Sequence, residues 1–162
     1  MRAGTTVFFK LVKHPWKFRF FLLTRLPSAY FTGVRVREID ETRCETTVPF
    51  KWLSQNPFRS TYFASLAMAA EMSTGTLALA HIHQRTPSVS MLLVKMEGLY
   101  TKKAVGRTRF TCVDGAAISQ AIEEAIATGA GREIRVRSTG ANEAGEQVAE
   151  FFFTWSFKAR RS

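Results

Sequence analysis

One carboxylate stands alone in a long apolar stretch. Glu71 lies near the middle of Ser60 to Ile82 and is flanked by Ala67, Met68, Ala69, Ala70 and Met72. Burial among such side chains penalises the charged form, so its pKa should rise unless donors are aimed at it. A carboxyl raised towards neutral pH suits general-base chemistry. A glutamate hydrogen-bonded to a neighbouring strand fits the same pattern. Asn56, fifteen positions earlier, could orient water or a carbonyl, or could simply turn the chain before Pro57. The segment Arg59 to Phe63 then enters the apolar helix. The first amides of a helix lack intrahelical partners and carry the positive end of its dipole, so they offer a place for an oxyanion. Phe63 and Glu71 are eight residues apart, or about 12 Å along a helix, and one carbonyl cannot touch both. If both act, the acid comes from a second, antiparallel copy of the helix, which calls for a two-fold homodimer.

The elements that must hold these residues follow from pattern and punctuation. Residues 1–26 form an N-terminal helical segment, with Pro15 suggesting two short helices that meet there, since proline is welcome in a first turn and disruptive inside a helix. Val34 to Phe50 alternates with period two and turns at Asp40-Glu41, which predicts a hairpin. The apolar helix follows and ends near His81 to His83. Ser88 to Tyr100 and Lys103 to Val113 read as strands joined by a basic turn. Ala116 to Thr128 reads as a helix closing on glycine, and Arg132 to Ser138 and Gln147 to Lys158 read as the last strands. Phe151, Phe152, Phe153, Trp155 and Phe157 suggest that the final strand is central and buried on both faces, or lies at an interface. The expectation is one α+β domain over residues 1–162: an antiparallel sheet wrapped around a long central helix whose surface is apolar nearly all round.

Composition narrows the partners. With 162 residues and 46% apolar content, there is enough chain for one core. The net charge of +10 suits an anionic membrane surface, nucleic acid or a phosphate-bearing small molecule. No acid precedes Glu38, so the N-terminal segment concentrates positive charge; it reads either as an amphipathic helix lying on the sheet or as a peripheral membrane or anionic-partner contact. Nucleic acid is not expected, because there is neither a zinc-finger spacing nor an aromatic-and-glycine RNA-binding signature. A transmembrane reading of Ser60 to Ile82 would place Glu71 in lipid at a cost of roughly 3 kcal/mol or more, so a buried soluble helix is preferred. Cys44 and Cys112 suggest neither zinc nor a disulfide framework, and Lys10 and Lys13 break the apolar run a signal peptide needs; a cytoplasmic location is expected. His81 and His83 lack a nearby acid or cysteine cluster, so no metal is expected.

The run Asn56-Pro-Phe-Arg-Ser-Thr-Tyr-Phe-Ala-Ser-Leu-Ala-Met-Ala-Ala-Glu71, followed by Gly75, resembles the signature of small hotdog-fold acyl-CoA thioesterases of the phenylacetate-pathway type and their relatives. The resemblance extends to the element order over nearly the whole chain. It implies a thioester hydrolase in which Glu71 activates water or attacks directly, Asn56 assists, and the Phe63 amide polarises the carbonyl. Thr61 and Tyr62 would then border the acyl group. Ser88 and Ser90 would be candidates to position water, and Lys102, Lys103 and Arg107 would either meet the phosphates of coenzyme A or form a solvated hairpin end. It also implies a homodimer, which could pair further into a tetramer, an acyl-CoA or other acyl thioester as substrate, and no cofactor beyond the coenzyme A that the substrate carries. One departure matters: Tyr62-Phe63-Ala64 stands where the family often has His-Gly-Gly. The Phe63 amide survives but its side chain can crowd the acyl group, so a non-catalytic acyl-CoA or lipid-binding protein on the same fold is the alternative.

Overall fold

The structure is a computed structural model and describes residues 2–160. It opens with α1 (Ala3–Lys13) and α2 (Pro15–Arg25). Lys10 and Lys13 occupy the last turn of α1, where cations complement the helix dipole. Pro15 is the first helical residue of α2, and the His14 ring accepts the Lys17 amide, so the two helices meet where proline costs nothing. A third helix that the sequence pattern does not announce, α3 (Pro27–Thr32), begins at the next proline and closes on Gly33 with φ 88°, the left-handed cap that glycine adopts without strain.

The hairpin of β1 (Arg35–Ile39) and β2 (Cys44–Val48) turns where expected. The Asp40 carboxylate accepts the amides of Thr42 and Arg43 at 2.7 and 2.8 Å, which fixes the turn from a side chain and holds the Asp40 pKa below the usual carboxylate value. After a short 3-10 turn at Trp52–Ser54 comes the long helix α4 (Phe63–Ile82), then β3 (Val89–Tyr100), β4 (Thr108–Cys112), α5 (Gly115–Thr128), β5 (Arg132–Ala141) and β6 (Gln147–Ala159). Six strands make one sheet in the order β1-β2-β4-β5-β6-β3, every neighbour antiparallel. Helix α4 touches all six strands, and α1, α3 and α5 close its remaining sides. This is the α+β hotdog arrangement, with the apolar helix as core. By length and composition α4 could cross a membrane; here its buried residues are enclosed by the sheet and its flanking helices.

Two expectations change. β3 and β4 are not hairpin partners: β3 pairs with β6 through eleven residue positions, whereas β4 lies between β2 and β5. The twelve-residue β3 finds a matching length only in the thirteen-residue β6, so residues 101–107 cross from the sheet edge to its middle. On the way, the Ala104 carbonyl accepts the Thr61 amide at 2.8 Å, which pins this crossing to the chain entering α4. β6 is internal, but it is fully buried on one face only. Phe151, Phe153, Trp155 and Phe157 enter the core while Phe152 and Thr154 are half-buried on the other face, where the Arg135 guanidinium lies 3.6 Å from the Phe152 ring centroid. Cys44 and Cys112, distant in sequence, face each other across β2 and β4 as buried free thiols; burial pushes both pKa values up.

Gly140 on β5 tests how tightly the sheet meets the core. A Cβ there would stand 2.4 Å from the ring of its register partner Phe110, which is fully buried. Gly140→Ala should therefore lower stability by about 1–3 kcal/mol through overpacking, measured by urea unfolding.

Candidate functional site

Glu71 sits near the middle of α4, facing a cavity of about 270 Å³ lined by Met68, Met72 and the α2–α3 joint from Arg25 to Ala29. The carboxylate lies back along the helix over Gly75: a Cβ on that glycine would be 2.6 Å from Glu71 Oε1 and 3.3 Å from Trp155 Cζ2. Glycine one turn on therefore gives the acid room to fold against the helix. Trp155 is itself fixed by an indole N–H donated to Thr74 Oγ1 at 3.0 Å. Among the described residues no amide or side chain donates to the carboxylate and no cation pairs with it. Desolvation is then unopposed, and burial lifts its pKa to about 7.

The start of α4 is built differently. Asn56 Oδ1 accepts the amides of Phe58 and Ser60 at 3.0 and 3.2 Å, its Nδ2 donates to Ser60 Oγ, and its carbonyl accepts the Arg59 amide. That places Asn56 as the organiser of the 56–60 turn, where Arg59 takes a φ of 57°. Of the amides from Arg59 to Phe63, those of Arg59, Ser60, Thr61 and Tyr62 are engaged, with Asn56 O, Asn56 Oδ1, Ala104 O and Ser54 O. The expectation of several open amides narrows to the first helical residues: the Phe63 and Ala64 amides meet no backbone carbonyl among the described residues. The Tyr62 and Phe63 rings pack edge to face at 4.7 Å and are both exposed. Thr61 Oγ1 is buried without a partner just before them.

The structure thus gathers Asn56, Thr61, Tyr62, Phe63 and the 101–107 crossing at one end of α4, with Glu71 two turns along. Lys102 pairs with Glu146 at 2.8 Å, the Arg107 amide reaches Glu143 at 3.4 Å, and Lys103 is exposed. Ser88 and Ser90 are not brought to this region. The Ser90 hydroxyl donates to the Lys158 carbonyl, and the Ser88 carbonyl accepts the Arg160 amide, at the far end of the β3–β6 pair. His81 hydrogen-bonds to the Glu41 carbonyl at 2.9 Å and His83 packs against Phe8, so the two rings serve separate contacts. Two neighbours of the acid carry no mark in the sequence. Trp155 lies 84 residues away from it, and the α2–α3 joint carries no polar motif that could mark it as a cavity wall.

Comparison with known proteins places this geometry among relatives. Residues 16–157 match the family model described as Domain of unknown function (DUF4442). Among curated proteins none matches in sequence. Similar solved structures include a Pseudomonas aeruginosa protein described as of unknown function and a probable thioesterase, with a TM-score of 0.76 and 21% identity, over 90% of this chain and 97% of that one. A Chlorobaculum tepidum protein described as of unknown function has a TM-score of 0.74 and 18% identity, over 97% of each chain. A Haemophilus influenzae thioesterase has a TM-score of 0.60 and 12% identity, over 85% of this chain and 86% of that one. At these identities the likeness is one of fold.

The environment of Glu71 has a measurable consequence. Its pKa is raised from 4.5 to about 7 on folding, so between those values the native state holds a proton that the unfolded chain releases. The stability of the protein should fall as pH rises through that window, by about 2–3 kcal/mol in all. Glu71→Gln escapes this loss. Urea unfolding should find the variant similar to wild type at about pH 5 and more stable by about 2 kcal/mol at about pH 8.

Proposed function

The chain belongs to the DUF4442 family, and from that premise we propose that it hydrolyses acyl-CoA thioesters with an apolar acyl chain. The observation that carries this reading is the half-buried, donor-free carboxylate of Glu71, its pKa raised to about 7 beside a cavity walled by Met68, Met72, Leu26 and Ala29. As general base it takes a proton from water, which attacks the thioester carbonyl. The oxyanion is met by the Phe63 amide at the positive end of α4, and the departing thiolate recovers the proton from the Glu71 carboxyl. Direct attack by Glu71, with an anhydride then hydrolysed, uses the same groups. No cofactor is required beyond the coenzyme A of the substrate, whose phosphates would find Lys103 on the crossing loop that is pinned to the helix entry.

Glu71 and the Phe63 amide stand about 12 Å apart along one helix, so the reaction calls for two antiparallel copies of α4 in a homodimer. The exposed edge of β3 supports such an assembly. It leaves Leu92, Val94, Met96, Leu99 and Tyr100 in solvent along a strand with one unpaired side. A long apolar edge of this kind invites pairing with a second strand.

A second reading, acyl binding without turnover, is favoured by one observation: the paired Tyr62 and Phe63 rings stand at the mouth of the helix start. Acyl-CoA that binds stoichiometrically and is recovered intact would establish it.

Purified protein should release free thiol from acyl-CoA, with kcat/KM rising as pH increases through about 7, and Glu71→Ala should abolish release. Phe63→Pro removes the amide N–H together with the ring, and proline suits a first helical position where Tyr62 already has ψ 137°; relative to Phe63→Ala, which removes the ring and keeps the amide, it should lower kcat by roughly 10²–10³. If sites are shared between subunits, mixing the two inactive variants should restore about a quarter of wild-type activity, because half the dimers are mixed and each has one intact site. Undiminished turnover in Glu71→Ala removes Glu71 from the reaction, and no recovery on mixing removes the shared site.

A further inference from the structure

We propose that the outward face of the α1–α2 pair docks on an anionic lipid bilayer. Helix α2 is apolar on two opposite faces. Phe18 and Leu22 enter the core, while Trp16, Phe20 and Leu23 point outward and are 81%, 68% and 38% exposed. Their spacing of four and three residues sets the outward three in one stripe. Leu11 of α1 joins Trp16 and Phe20 along a shallow groove of about 530 Å³ that also carries Lys17. A surface helix normally turns polar residues to solvent; this one presents two large aromatic rings and a leucine.

The charge around the stripe selects the occupant. Residues 1–37 contain eight lysines and arginines and no acid. Arg19 is engaged over the Tyr30 ring at 3.9 Å, but Lys10, Lys13, Lys17 and Arg25 are exposed. Asp40 and Glu41, beside Lys10 and Lys13 in the adjoining hollow, are the acids near this face and leave it net positive. A second copy across a two-fold axis would set like charges against each other. Nucleic acid would reward the lysines but not an apolar stripe. A bilayer interface takes both, with aromatic rings at the headgroup level and lysines extended to lipid phosphates. The docked helix ends at Arg25 and Leu26, two walls of the cavity over Glu71, so docking sets that cavity beside the membrane. Docking itself is independent of the reaction proposed for Glu71.

Co-sedimentation of the full chain with phosphatidylcholine vesicles, and with vesicles containing phosphatidylglycerol as well, reads the interaction directly. Wild type should sediment with the anionic vesicles, less with the neutral ones, and less as salt is raised. Replacing Lys10, Lys13 or Lys17 by Gln should lower partitioning onto anionic vesicles by up to about fivefold each. Trp16→Ser combined with Phe20→Ser should lower it by tenfold or more, with the circular dichroism spectrum unchanged because both side chains point outward. Should that pair of changes unfold the chain, the three lysine variants carry the test. The proposal is overturned if wild type does not sediment with anionic vesicles, or if the folded double variant sediments like wild type. Binding to single-stranded DNA as tight as to the vesicles, and insensitive to Trp16 and Phe20, would also overturn it. So would a scattering mass that halves in the double variant, since that would assign the face to an interface between copies.

Discussion

The close approach of α4 to the sheet is the constraint on which the rest of the molecule depends. The division of bulk makes it possible. The helix contributes small buried residues, among them Ala69, Ala70, Ser73, Gly75, Ala78 and Ala80, while the sheet contributes Phe110, Phe151, Phe153 and Phe157. Small on one side and large on the other lets the two surfaces interlock at interior density. Hydroxyls then fix the helix against sliding: Thr46 on β2 donates to the Ala69 carbonyl at 2.6 Å, Ser73 meets Ser138 on β5 at 2.8 Å, and Thr74 accepts the Trp155 indole on β6. Three strands thus hold the helix between Ala69 and Thr74. The position of Glu71 follows from that fixation, because the side chain has little choice once its helix cannot rotate.

A half-buried carboxylate with no donor is costly to ionise, and the fold accepts that cost at one position of the long helix. Gly75 leaves the space into which the acid folds, and Trp155 Cζ2 borders that space. The α2–α3 joint supplies the outer wall. The pKa displacement arises from this enclosure rather than from a neighbouring charge, so it belongs to the packing of the whole N-terminal segment against α4.

Much of this was legible in the sequence, and the reasons it was not complete are physical. Local signals identify four elements: an unbroken apolar run for α4, period-two alternation for the β1–β2 hairpin, helix-forming composition for α5 and a run of aromatic residues for β6. The pairing of β3 with β6 is a non-local choice, settled by strand length and by competition among partners, and a short basic link between β3 and β4 reads as a hairpin turn until those partners are known. The same holds at the helix entry. That amides there lack intrahelical partners follows from helix geometry, but Tyr62 and Thr61 donate to Ser54 and Ala104, carbonyls supplied by other segments. For the candidate site, the acid was visible as an isolated charge, whereas its enclosure by Trp155 and the α2–α3 joint arises from chain segments that carry no local mark of that contact.

The departure at Tyr62-Phe63 separates two kinds of functional dependence. A group supplied by a side chain disappears when its residue is replaced; a backbone amide persists through any replacement except proline. At the first position of α4 the side chain lies outside the helix cylinder, and the Phe63 ring is taken up by its edge-to-face contact with Tyr62. The amide remains free of backbone partners and keeps the positive end of a twenty-residue helix behind it. Substituting bulky residues for small ones at this point therefore leaves the electrostatic donor in place and changes the shape of the approach to it. The constraint falls on the form of the ligand rather than on the presence of the group that would bind its oxygen.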